Sequence, residues 1–235
     1  MAHALRYLIL ALGFVLATSG RGAAPTAAPV PAVRFTVFSA RPIAGLTFTP
    51  RAELPPQKLT FYPTARSHRH EYRGPMPLRF VDSASGKVVA EATIPPEIKD
   101  ALLLFTAIEP APANGLRYQI SVLDDGAARH GPGGLATINF SGLELSGVIG
   151  RHAVILKPGL NPTLPVSRST RITLRTLVKD RSYQAYADSV EIGPKDRVLL
   201  ILFPPYYKGS LEVQSRLLID EPPAAEPEIG ARGRD

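Results

Sequence analysis

Two histidines stand two apart in SHRHEY, residues 67 to 72, of a chain with five histidines and no cysteine. Alternate side chains of a strand share a face, so a strand here would set His68, His70 and Tyr72 on one side and Arg69, Glu71 and Arg73 on the other. Two imidazoles so placed can reach one zinc, copper or nickel ion. A useful site needs a third donor, and His130, Asp125 and His152 are the candidates. The competing reading is a solvent-facing strand whose charged face pairs across a sheet.

Other residues invite lesser chemistry. FPPYYKG, residues 203 to 209, puts Tyr206, Tyr207 and Lys208 at the end of a strand. Tyrosines there either stack on a sugar or a protein surface or cover the end of a core. Asp124 and Asp125 before Gly126 lack the spaced pattern of a calcium loop and are expected to cap a turn. The glycines of HGPGG precede neither a helix nor a phosphate-binding lysine, so the segment reads as a hinge. Asn139 begins a glycosylation sequon, but inside an expected strand. The chain carries no Gly-x-Ser-x-Gly elbow, no His-Glu-x-x-His helix and no dinucleotide fingerprint. No enzyme activity and no cofactor are expected; a hydrolase with an unrecognised site is the remote alternative.

The elements that position these residues are strands. Runs of β-branched, aromatic and aliphatic residues alternate with Pro, Gly, Ser and Asp clusters at intervals of roughly ten residues, the pattern of an all-β sandwich or barrel. The chain also repeats itself. KDALLLF (Lys99 to Phe105) returns as KDRVLLILF (Lys195 to Phe203). LRYQISVLDD (Leu116 to Asp125) returns as LEVQSRLLID (Leu211 to Asp220), with Gln119 over Gln214 and Asp125 over Asp220. VFSARPIAGLTF (Val37 to Phe48) lies over NFSGLELSGVIG (Asn139 to Gly150), with Gly45 over Gly147. Such a period is one sandwich domain long. The expected fold is therefore all-β, two tandem Ig-like β-sandwich lobes, residues 33–125 and 134–221, joined by a linker at 126–133. In the repeat the histidine stretch falls near PTLP, residues 162 to 165, so the lobe itself does not require the histidines.

ALLLF and VLLILF do not alternate, so both faces of these strands should be covered. Either the lobes pack on one another or the chain dimerises through them, and Leu103 and Leu200 are the residues to probe.

The order GPMPLRF, KVVAEATIP, LLLF and YQISVLDD, followed by INFSG, GVIG and LKPG, resembles a group of exported bacterial tandem β-sandwich proteins. The resemblance covers both lobes and rests on turn and strand patterns. It implies the two-lobe build and a bacterial envelope setting, and it carries over no catalytic residue.

The N-terminus agrees. Arg6, the apolar run Tyr7 to Ala17 and the small residues up to Gly20 have the layout of a secretory signal peptide, residues 1–20. The run falls short of the roughly 20 residues a membrane span needs. Residues 21–32 read as a disordered Ala/Pro-rich lead-in and residues 222–235 as a disordered tail. Without cysteine, an exported chain must be held by its apolar core, and 45% hydrophobic residues supply one. The formal net charge is +7. The tail region holds Glu221, Glu226, Glu228 and Asp235 against Arg232 and Arg234, so the body is more basic than the signal-free total. The expectation is a non-catalytic binding protein, periplasmic or at the cell surface, whose basic surface meets an envelope glycan, another anionic polymer or another exported protein rather than nucleic acid. The alternative is an envelope metal-binding protein using His68 and His70.

Overall fold

A computed structural model describes residues 32–110, 112–166 and 168–220. The stretches read from the sequence as a signal peptide, as a lead-in apart from Ala32 and as a tail lie outside the described residues. Within them the protein is all-β. The N-terminal half contributes β1 (Ala32–Ser39), β2 (Leu46–Phe48), β3 (Gln57–Lys58), β4 (His70–Arg73), β5 (Leu78–Asp82), β6 (Val88–Ala92), β7 (Asp100–Ala107) and β8 (Tyr118–Asp124). The C-terminal half contributes β9 (Gly134–Asn139), β10 (Leu145–Ile149), β11 (His152–Leu156), β12 (Gly159–Leu160), β13 (Leu164–Pro165), β14 (Ser169–Val178), β15 (Arg181–Glu191), β16 (Arg197–Phe203) and β17 (Gln214–Leu218).

These strands form four sheets, ordered β4-β1-β7-β8, β3-β2-β5-β6, β12-β9-β16-β17 and β11-β10-β14-β15. The plan of the first pair recurs in the second. β1 runs parallel to β7 as β9 runs parallel to β16, and β8 and β17 close their sheets antiparallel. β13, the PTLP segment, pairs with β9 as β4 pairs with β1. Each pair of sheets encloses its own apolar core. Phe35, Phe48, Phe80, Leu103 and Phe105 lie in the first; Leu135, Leu174, Leu200 and Leu202 lie in the second.

A third apolar cluster joins the halves. Leu102 and Leu104 of β7 and Phe38 of β1 meet Leu199 and Ile201 of β16 and Ala136 and Ile138 of β9. This explains the non-alternating runs: parallel strands buried on both faces take apolar residues at every position. Each half covers the other's outer face, so the faces that called for a partner are met within one chain. Alternation within the run assigns the faces. Leu103 and Leu200 point into their own cores, whereas Leu102, Leu104, Leu199 and Ile201 point into the junction. Leu103 and Leu200 are therefore the wrong probes of inter-half packing.

The repeat alignment needs the same correction. KDALLLF and KDRVLLILF match as segments, but their last residues face opposite ways, since Phe105 belongs to the first core and Phe203 packs on the junction cluster. The match of Gly45 with Gly147 also fails. Gly45 turns the chain into β2 with a φ of 72°. Gly147 sits inside β10, where a Cβ would lie 2.0 Å from the backbone oxygen of Thr173.

Candidate functional site

The histidine stretch is only in part a strand. β4 begins at His70, and His68 precedes it. β4 pairs with β1 so that His70 stands opposite Phe35 and Tyr72 opposite Val33. His70 is not solvent-facing: its ring lies 5.3 Å from both Phe35 and Phe48. Burial, aided by the positive charge of His68, lowers its pKa below the usual 6.5, so the neutral ring serves as a lid on the first core. Tyr72 is buried, while Arg69, Glu71 and Arg73 face outward. His68 packs edge-on against Tyr62, with ring centroids 5.9 Å apart.

The donors named as a third ligand are not brought to these histidines. His152 Nε2 donates to the Pro165 carbonyl at 2.9 Å. Asp125 and His130 lie in a charged cluster at the junction of the halves, and among the described residues no three His, Cys, Asp or Glu side chains gather as a metal site would require.

That cluster was not foreseen, and Arg66 is its centre. This arginine, in the loop before β4, is 0% exposed and is the largest fully buried side chain among the described residues. Its Nε lies 3.1 Å from Asp125 Oδ2 as an ion pair, and its Nη2 donates to Asp125 Oδ1 at 3.2 Å. Nη1 donates to the Arg197 carbonyl at 3.3 Å and approaches Asp220 Oδ1 at 4.0 Å. Arg197 supplies the second cation: it meets Asp220 Oδ2 at 3.0 Å, Asp125 Oδ1 at 3.2 Å and the His130 carbonyl at 2.7 Å, and also donates to the Asp125 carbonyl. Burial alone would raise the Asp125 pKa. The hydrogen bond from His130 and the charges of Arg66 and Arg197 outweigh it and hold the carboxyl below its ordinary value.

His130 completes the network. Its Nε2 faces the carbonyl oxygens of Val198, at 3.0 Å, and Gly134, at 3.4 Å, so this nitrogen carries the proton. Nδ1 lies 3.3 Å from Arg66 Nη2 and 3.2 Å from Asp125 Oδ1. The linker is thereby pinned through His130 to β16, which is not the behaviour of a free hinge. Asp124 caps its turn as expected, accepting from Gly126 N at 3.1 Å and pairing with Arg129 at 3.2 Å.

The signal that could have found this cluster is the repeat. Asp125 and Asp220 match one another, each ends the last strand of its half, and both converge on Arg66 and Arg197. Nothing in the local sequence TARSH marks Arg66 as buried.

Beside the cluster a cleft of about 340 Å³ opens between the halves, walled by Leu102, Leu123, Ile138 and Leu199 and rimmed by Asp124, Arg129 and Asn161. Its rim is already engaged. Asp124 holds Arg129, and Asn161 Nδ2 donates to the carbonyls of Lys157 and Gly159 at 2.9 and 3.0 Å. Asn139, the sequon residue, is buried, and its amide bonds the carbonyls of Leu143 and Leu156 at 3.0 and 3.2 Å.

Tyr206 and Tyr207 do not cover a core. They are 75% and 72% exposed, with ring centroids 5.0 Å apart at 71°. Lys208 follows them into solvent, and Gln214 closes the loop by donating to the Pro204 carbonyl at 2.9 Å.

A basic display lies on the outer face of the sheet β11-β10-β14-β15. Arg171, Thr173, Arg175 and Leu177 alternate with the core residues of β14 and face away from the core. Register puts Val148 and Ala153 beside Thr173, and Ser146 and Ile155 beside Arg175. Ile155 is 70% exposed. Arg175 donates to the Ser182 hydroxyl at 2.7 Å, and among the described residues neither it nor Arg171 has an ion-pair partner. Among the described residues of these four strands, Glu191, opposite Ser169, is the acid on this face.

No family model matches the chain, and no curated protein matches its sequence. No helix of the described residues is long and apolar enough to cross a membrane.

Proposed function

We propose that this protein is an exported, non-catalytic binding protein of the bacterial envelope, built of two tandem Ig-like β-sandwich lobes, that holds an anionic envelope component on its basic surface. The observation that carries the reading is the outer face of the β11-β10-β14-β15 sheet. There, exposed arginines with no acidic partner among the described residues stand among exposed apolar residues, a mixture suited to an anionic ligand with some apolar surface. The exposed Tyr206–Tyr207 pair with Lys208 is a second contact of the same character, since tyrosine offers rigid area with a polar tip. The titratable groups at the junction are spent on one another, which favours a scaffolding role for them over a catalytic one. No observation favours the metal alternative at His68 and His70, because His70 is packed on two phenylalanines.

Co-sedimentation of the mature protein with isolated envelope fractions tests the reading, at low and high salt and with and without chelator. Pelleting that high salt abolishes and chelator does not touch is the expected result. Pelleting lost to chelator alone would move the site to the histidines. Pelleting that high salt leaves intact would point to a partner recognised without charge, such as another exported protein.

A further inference from the structure

At one end of the basic sheet a hollow of about 520 Å³ lies between the β10–β11 turn, the segment after β13 and the start of β14. Arg151, His152 and Arg171 border it together with Pro165 and Ser169. The hollow has a fixed frame. Gly150 turns the chain with a φ of 59°, and its N–H donates to the Arg171 carbonyl at 2.8 Å, which holds the backbones of the two arginines side by side. His152 is oriented by its Nε2 bond to the Pro165 carbonyl, leaving Nδ1 unengaged among the described residues. Arg151 and Arg171 are both exposed, and among the described residues neither has an ion-pair partner. Glu191 stands opposite Ser169 across the β14–β15 ladder, two residues along β14 from Arg171. The paired arginines Arg34, Arg41, Arg79 and Arg117 elsewhere on the surface contrast with these two.

We propose that this hollow is a binding site for a phosphate group, taken between the Arg151 and Arg171 guanidiniums with His152 on its flank. The proposal rests on the basic-surface reading above and names the chemistry of its ligand. A guanidinium presents a planar fork of donors that matches the oxygens of an oxyanion, and two such forks match a dianionic phosphate better than a singly charged carboxylate.

The test is an NMR titration of the full chain with inorganic phosphate and, separately, with acetate at matched ionic strength. The expected result is saturable shifts confined to residues around Gly150 to Ala153 and Arg168 to Ile172, at least tenfold weaker for acetate. Arg151→Gln and Arg171→Gln should each weaken phosphate binding at least tenfold, while Arg79→Gln should leave it unchanged. Glycerol phosphate and vesicles containing phosphatidic acid, both phosphomonoesters, then distinguish the source: equal affinity assigns a soluble or polymer-borne phosphomonoester, and tighter vesicle binding assigns a lipid headgroup. Shifts spread over the whole basic surface, or binding unaltered in both glutamine variants, overturn the site. If the hollow fails while salt-sensitive pelleting persists, the phosphate site is wrong and the basic-surface reading stands. If phosphate binds here and nothing pellets, the envelope reading is what fails.

Discussion

Arg66 and Asp125, one in the loop before β4 and the other immediately after β8, meet through two contacts, Nε to Oδ2 at 3.1 Å and Nη2 to Oδ1 at 3.2 Å. The pair is buried exactly where the second half docks, so its counter-charges come from across the junction, from Arg197 and Asp220. A buried ion pair is not in itself a strong stabiliser, but removing one partner leaves the other's charge uncompensated.

Asp125→Asn is accordingly expected to destabilise the fold by about 3–5 kcal/mol. Asp220→Asn, at the wetter side of the cluster, should cost about 1 kcal/mol or less. Denaturant unfolding of the two variants measures the difference, and equal losses would count against Asp125 as the keystone. Because the folded pKa of Asp125 is depressed, its contribution is full above the ordinary value of 3.8 and is lost as pH falls through the lower folded value.

The junction cluster predicts a cooperative molecule. Leu102→Ala and Ile201→Ala should each cost about 2–5 kcal/mol, the range for emptying a buried aliphatic site. Ile201→Glu should go further and split thermal unfolding, with a single transition in the parent becoming two as the halves part. A variant that still melts in one transition at the parental temperature would mean that the halves do not lean on one another there.

Gly147→Ala tests the close approach of β10 to β14. The added methyl would meet the Thr173 oxygen at 2.0 Å, so the strands must separate. A loss of about 3 kcal/mol or more is expected, at the upper end for overpacking. Gly86, with a positive φ but nothing within 4 Å of a Cβ, is the control, and alanine there should cost only its backbone strain, about 1 kcal/mol. Equal losses at the two sites would contradict the packing of β10 against β14.

His70 makes the fold sensitive to mild acid. Its folded pKa lies below the ordinary 6.5, so below pH 6.5 the unfolded chain gains a proton that the folded chain refuses. The stability it contributes is full above pH 6.5 and declines as pH falls through its folded value. His70→Phe, which keeps an aromatic ring against Phe35 and Phe48, should lose less melting temperature between about pH 7 and pH 5 than the parent does. An identical loss would place the pH sensitivity elsewhere.

How far the sequence foretold these features follows from their physics. The runs ALLLF and VLLILF were legible as doubly buried because a strand with one wet face cannot tolerate five consecutive apolar residues. Which residue faced which way was not, because composition repeats at every position of such a run and a one-residue slip leaves it looking the same. The histidines were legible as strand-associated but not as core lids, since what buries His70 is Phe35 and Phe48, distant in sequence. Arg66 was invisible because its partners come from three other segments. Only the repeat-matched aspartates pointed toward it. Tyr206 and Tyr207 could equally have capped a core, and only the exposure of their rings decides between the two readings. The unpaired arginines emerged only once register had separated the two faces of the outer sheet.

The central claim is that the basic outer sheet is the working surface. The most direct measurement is the salt dependence of pelleting with isolated envelope, comparing the parent with the double variant Arg171→Gln/Arg175→Gln and with the control Arg41→Gln/Arg79→Gln. Screening should weaken the parent and the control alike as ionic strength rises, because exposed charges lose their reach beyond a Debye length of about 8–10 Å. The outer-sheet variant should bind at least tenfold more weakly at low salt and show a shallower dependence. Equal binding and equal slopes for all three proteins would contradict the account and remove the outer sheet as the site.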